Sequence, residues 1–389
     1  MHPTHLPLKG SCRLKWGGRG LWMDVGIQGL PKIQDLLNHQ NMDNKQLIQK
    51  KIWLNEVSFM RPILLVLLVS YHSFAPYVGA WEKPEGIDDV NIYKVIGLLS
   101  RAFRLEGFVF ISGYIFTFQL IEKKKFNTFG SLLKSKFLRL LIPGFVFSAL
   151  YVGLFLDITN IIPFVLKVVN GAGHLWYLPC LFWLFLVQYV IVKRGWTLKQ
   201  LAMPLVLAVI LSVEPLPLQL DRSLYFCMFF TGGGIFWMYS GQLSKNGNLR
   251  KVMCSWLIFG LLFLIMNVII RHFTIIANHT EGIQAYSSLA VKSLSKAVLA
   301  WSGIYALYLT AVLYCKNNAL SQAIIKVGAC GYGVYVFHQF ILVFLYRHTE
   351  LPQFVGTYWF PWIGLVTTVF ISTALTLAVR STKIGKKYL

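Results

Sequence analysis

Charge is scarce in this chain, and negative charge scarcest. Asp and Glu number 15 against 37 Lys and Arg, and charged residues are 13% of the 389. Soluble domains carry about a quarter charged residues, so a chain this poor in them cannot cover a globular surface, although it can face lipid. CxxC and Cys/His spacings are missing. The six cysteines (Cys12, Cys180, Cys227, Cys254, Cys315 and Cys330) are scattered, mostly in or beside apolar runs, so neither a disulfide framework nor a zinc site is supported. No lysine-serine pair follows Gly232-Gly233-Gly234, which therefore reads as close helix packing or a kink rather than a phosphate loop. No internal repeat is evident, which weakens an inverted-repeat transporter. Residues 1–41 lack the apolar core of a signal peptide.

Apolar residues are present in excess, at 56%. They fall into runs near 60–80, 102–121, 138–156, 174–192, 201–213, 223–240, 252–270, 297–315, 324–346 and 362–380. Most approach the roughly 20 residues a helix needs to cross hydrocarbon, and helix is the default because it satisfies its own backbone. The fold class is therefore all-α, a polytopic membrane protein of about ten spans. A shorter apolar piece at 161–169 suits a re-entrant or interfacial helix.

The net charge of +22 raises the question of nucleic acid, but the cations sit in short loops between the runs. With the N-terminus in the cytoplasm, inward loops hold Lys123 to Lys125, Lys134, Lys136, Arg139, Lys193, Arg194, Lys199, Lys245, Arg250 and Lys251. Outward loops hold Glu82, Glu85, Asp88, Asp89, Glu214 and Asp221. That bias is the positive-inside pattern with both termini cytoplasmic. The partner it implies is a lipid bilayer, not nucleic acid. Three segments follow: a tail at 1–51, expected to be disordered and with Met42 the expected true start; a membrane domain at 52–380; and a basic cytoplasmic tail at 381–389. The longest outward loop is expected at 271–296, where an acceptor could touch the protein.

Ionisable groups inside a membrane are costly and mark function by default. His72 lies deep in the first run and His338 in the ninth; Arg61 opens the first run, and Glu106 is the acidic residue best flanked by apolar sequence. Arg61 and His72 are 11 residues apart, which puts them on one helix face, about 16 Å apart along the axis. Lys136 and Arg139, three apart, also share a face at the inner mouth of the third span. The pattern suits an anionic ligand held at that mouth, with its reactive end reaching a buried imidazole. Arg101, Arg104 and His174 sit near run ends, where amphipathic side chains can reach water.

Four motifs in order then resemble the acyltransferase-3 family of bacterial membrane O-acyltransferases. They are Arg61 with His72; LEGFVFISGYIF at 105–116, which holds Glu106 and Ser112-Gly113-Tyr114; KFLRLLIP at 136–143; and YGVYVFH at 332–338, with Tyr335 and His338. HLWYL at 174–178, with His174 and Trp176, is similar to a further family stretch. The likeness covers about 52–380. Where the family usually has the first of two arginines, this chain has Lys136, which keeps the charge but lacks the bidentate fork.

The resemblance implies an acyl-CoA donor, usually acetyl-CoA, a sugar hydroxyl as acceptor, no metal, and the bacterial inner membrane. Arg61, Lys136 and Arg139 are the expected cofactor-binding cations. His72 is the expected general base, with Glu106 orienting it, or else the carrier of a transient acyl group. Ser112, His174, Trp176, Tyr335 and His338 are expected to serve substrate or structure. A transporter or flippase of lipid-linked sugars or acyl groups is the alternative, since buried Arg, His and Glu also line such routes. Acetyl against succinyl, the acceptor and the oligomeric state stay open.

Overall fold

The computed structural model describes residues 55–240, 248–317, 320–383 and 385. The expected tail at 1–51, the start at Met42 and the end of the basic tail lie outside the described residues. Among the described residues the chain is helical almost throughout, with no strand.

Helix α1 covers 55–73. After a tight turn at Ala75–Val78 come α2 (Asn91–Arg101) and α3 (Arg104–Ile121). Then follow α4 (Phe129–Phe155), α5 (Ile161–Asn170), α6 (Gly173–Arg194), α7 (Leu198–Leu211) and α8 (Leu220–Met238). The remainder is α9 (Leu249–His279), α10 (Gly282–Asn317), α11 (Gln322–Ala329), α12 (Gly331–Arg347) and α13 (Leu351–Ser381). Each apolar run of the sequence overlaps a helix. Among the described residues five helices, α4, α6, α9, α10 and α13, are long and apolar enough to cross a membrane. Helix α9 leaves Leu257 72% and Val268 70% exposed, and α13 leaves Phe370 74% exposed. These are surfaces that a bilayer would cover.

Two predicted boundaries move. The first run was expected to be helical to 80, but α1 ends at 73, because Pro76 and the left-handed Gly79 (φ 69°) turn the chain. His72 therefore sits in the last turn of α1 rather than mid-helix. The expected outward loop at 271–296 is almost entirely helical: α9 and α10 form a hairpin joined by Thr280 and Glu281. Its arms of 31 and 36 residues are about 47 and 54 Å long at 1.5 Å per residue. Both outrun a hydrocarbon core of about 30 Å. Helix α5 has 10 residues, none of them buried, too short to span and apolar enough to lie at an interface.

Glycines set the closest helix contact. A Cβ on Gly113 of α3 would stand 1.8 Å from the Phe230 carbonyl oxygen of α8, and one on Gly233 of α8 would stand 2.0 Å from that of Phe110 on α3. The two backbones touch reciprocally, which accounts for the glycine triplet. The end of α1 is tied down too. The Tyr346 hydroxyl of α12 donates to the Ser73 carbonyl at 3.0 Å, and the Ser73 hydroxyl donates to the carbonyl of Pro361 on α13.

Candidate active site

Three histidines from three helices meet in the interior. The His72 ring of α1 lies 5.0 Å from that of His338 on α12, and His338 lies 4.8 Å from His174 at the start of α6. His338 is fully buried and His174 nearly so; His72 is half-buried. A backbone carbonyl can only accept, so neighbouring carbonyls fix two tautomers. Nδ1 of His338 carries the proton it gives to the Tyr335 carbonyl at 2.7 Å, and Nε2 of His174 donates to the Val336 carbonyl at 3.0 Å. The opposite nitrogens, Nε2 of His338 and Nδ1 of His174, are buried without a partner, as is Nδ1 of His72. Buried polar atoms are rarely left unpaired in this way, and the free nitrogens of His338 and His174 are acceptors.

His174 owes its position to a glycine turn. Gly171 (φ 83°) and Gly173 (φ 58°) reverse the chain after α5, and a Cβ on Gly173 would press within 2.8 Å of the Tyr151 ring. The Tyr335 hydroxyl then donates to the His174 carbonyl at 2.6 Å. The expectation that His174 reaches water does not hold, because its ring is packed among Tyr151, Tyr335 and Phe340. Arg104 departs in the same way. It is 5% exposed, with its guanidinium carbon 3.6 Å above the Tyr71 ring and Nε unpartnered. Sequence reading expected it to reach water because it abuts the run at its polar edge. Glu56 was passed over: it precedes the first run, yet is 1% exposed beside Tyr308.

A cavity of about 340 Å³ lies across Tyr335 from this cluster, and none of the three histidines lines it. It follows α3 from Gln119 to Leu105, a path of about 21 Å, and passes Ser112. Arg61 and Lys136 line it near one end, and Tyr177 and Tyr335 line it as well. The Tyr335 ring is 6.1 Å from that of His338, so the cavity is separated from the histidines by about one aromatic layer. The Lys136 ammonium sits 3.4 Å over the Phe185 ring, with Phe116 and Phe126 at 5.1 and 5.6 Å. Arg139 does not line the cavity and is exposed. The reason is a π-helical bulge at Phe137–Leu141, which breaks the three-residue spacing that would have put both cations on one face.

Glu106 also stands apart from its expected partner. Among the described residues no hydrogen bond joins it to His72; instead the Tyr225 hydroxyl donates to its Oε1 at 3.1 Å. One residue beyond Leu105 turns the helix by about 100°, away from the first cavity and into a second, of about 300 Å³, where Trp176 also lies. The rings beside His72 are instead those of His338 at 5.0 Å and Trp81 at 5.6 Å. Among the described residues no group of three His, Cys, Asp or Glu side chains could hold a metal ion.

A family model described as an acyltransferase domain matches residues 54–379. No curated protein and no solved structure matches the chain.

Proposed function

The chain belongs to the acyltransferase-3 family and is a membrane acyltransferase; from that premise we propose that it moves an acyl group, most simply acetyl, from acyl-CoA to a hydroxyl of a cell-surface or lipid-linked saccharide. The observation that carries this reading is the first cavity, cationic near one end and backed by three imidazoles behind Tyr335. Coenzyme A is a polyanion with a long thin arm. Its phosphates suit Arg61 and Lys136 as charge-assisted contacts, with Arg139 at the rim adding long-range attraction. The arm then follows α3, past Ser112, and carries the thioester toward His72.

On this reading the membrane is a bacterial inner membrane crossed about ten times with both termini inside, and positive-inside bias favours a cytoplasmic Lys136 end. The chemistry is one substitution. The acceptor oxygen attacks the thioester carbonyl, His72 takes the hydroxyl proton as that bond forms, and the CoA thiolate leaves and recovers a proton. A neutral imidazole is suited to this near neutral pH. His338, whose Nδ1 proton is committed to the Tyr335 carbonyl, presents an acceptor nitrogen beside His72.

The test is transfer of label from radiolabelled acetyl-CoA to saccharide in membranes holding wild type or His72→Ala. Loss of about 10²–10⁴-fold is expected from removal of a general base, with the variant still inserted. Retention of half the activity sinks the assignment. Flipping of intact substrate with no transfer by the wild type would favour a transporter.

A further inference from the structure

The second cavity has chemistry of its own. It lies at the opposite end of α3 from Lys136, where Arg101, Arg222 and Lys296 face one carboxylate, Glu106. None of the three cations has a carboxylate within ion-pair distance among the described residues, and Glu106 is engaged by Tyr225 instead. Arg101 and Arg222 are exposed and Lys296 is half-buried, so the cleft gathers positive charge where a ligand arriving from solvent meets it.

Arg222 is also held in shape. Its guanidinium carbon lies 4.1 Å over the Trp176 ring, and Trp176 stacks on Phe226 at 6.1 Å and 23°. A guanidinium seated over an indole is restrained, and its planar fork can make two parallel hydrogen bonds to a carboxylate or phosphate. Deeper in, Glu106 can accept from hydroxyls on a ring, with Tyr225 fixing its carboxylate. A volume of about 300 Å³ is at the small end of ligand sites and suits one sugar residue.

We propose that this cavity is the acceptor site, and that the acceptor is a saccharide carrying a negative group: the carboxylate of an acidic sugar or the phosphate of a phosphorylated one. This rests on the acyltransferase reading. Arg222 and Lys296 hold the anion, while Glu106 receives the sugar hydroxyls. Leu105 and Glu106 are neighbours on α3, one lining each cavity, so the two cavities adjoin at this turn of the helix.

The test measures binding to the purified full chain in detergent, with methyl glucuronide, glucose 6-phosphate and methyl glucoside as probes and acetyl-CoA as a separate ligand. At least one acidic probe should bind saturably, ten times or more tighter than methyl glucoside, and the two acidic arms tell carboxylate from phosphate. Arg222→Gln and Lys296→Gln should each weaken the acidic probe at least tenfold. Arg222→Lys should fall between wild type and Arg222→Gln. Acetyl-CoA binding should be unchanged in all three, which also shows that they are folded. Equal binding of methyl glucoside, no shift in the variants, no binding of either acidic probe, or inorganic phosphate competing as well as the sugars compete, would each overturn the proposal. Failure of wild type to bind acetyl-CoA would instead overturn the donor reading and leave the saccharide result standing.

Discussion

At the scale of single residues, Lys136 shows how environment replaces geometry. A lysine cannot grip phosphate as a fork does, but three phenyl rings surround its ammonium and fix a side chain that would otherwise wander. Such contacts are worth roughly 0.5–2 kcal/mol each, depending on desolvation. Removing the charge with Lys136→Met should raise KM for acetyl-CoA by about 10- to 100-fold, the size of a lost hydrogen bond to a charged group, with a smaller effect on kcat. Lys136→Arg should stay within a few-fold of wild type. Steady-state kinetics with acetyl-CoA varied would decide, and an unchanged KM in Lys136→Met would remove this residue from the donor site. His72 and His338 were legible in sequence because polar groups inside apolar runs stand out, whereas His174 was expected at a water-reaching run end and Tyr335 entered through the family motif. Arg104 and Glu56 were not legible, because burial at a run's edge depends on what other helices bring against it.

At the scale of helices, the glycines are structural necessities. Any Cβ on Gly113 collides with the Phe230 backbone, which has no flexible end to move. Overpacking usually costs about 1–3 kcal/mol, so Gly113→Ala should lower the thermal midpoint of the detergent-solubilised protein clearly below wild type. Gly260→Ala, where a Cβ meets nothing within 4 Å, serves as control; equal midpoints would refute the contact. The placement of helices followed from hydropathy, but two of their properties did not. The bulge at Phe137–Leu141 is a choice of i→i+5 over i→i+4 bonding, a small difference decided by packing. The helical character of 271–296 is hidden because Arg271, His272, Lys292 and Lys296 dilute its apolar residues, so a span-length window reads a loop where the chain continues as helix.

For the whole molecule, the arrangement to explain is a bundle hollowed from both ends, with cations at each. Only one end can face the cytoplasm. With the native cysteines replaced, a single cysteine at Ile283, 89% exposed near the tip of the α9–α10 hairpin, should react with a membrane-impermeant maleimide on intact cells. One at Lys199, in the first turn of α7, should react only after permeabilisation. The reverse result would invert the assignment of donor and acceptor sides.

The separation between the hollows is thin. Leu105 faces one and Glu106 the other, and so do Tyr177 and Trp176. These few side chains serve as insulation as well as walls, since a gap through them would short-circuit the voltage across the bilayer. Trimming Tyr177 or Trp176 to alanine would then show itself first as a proton leak.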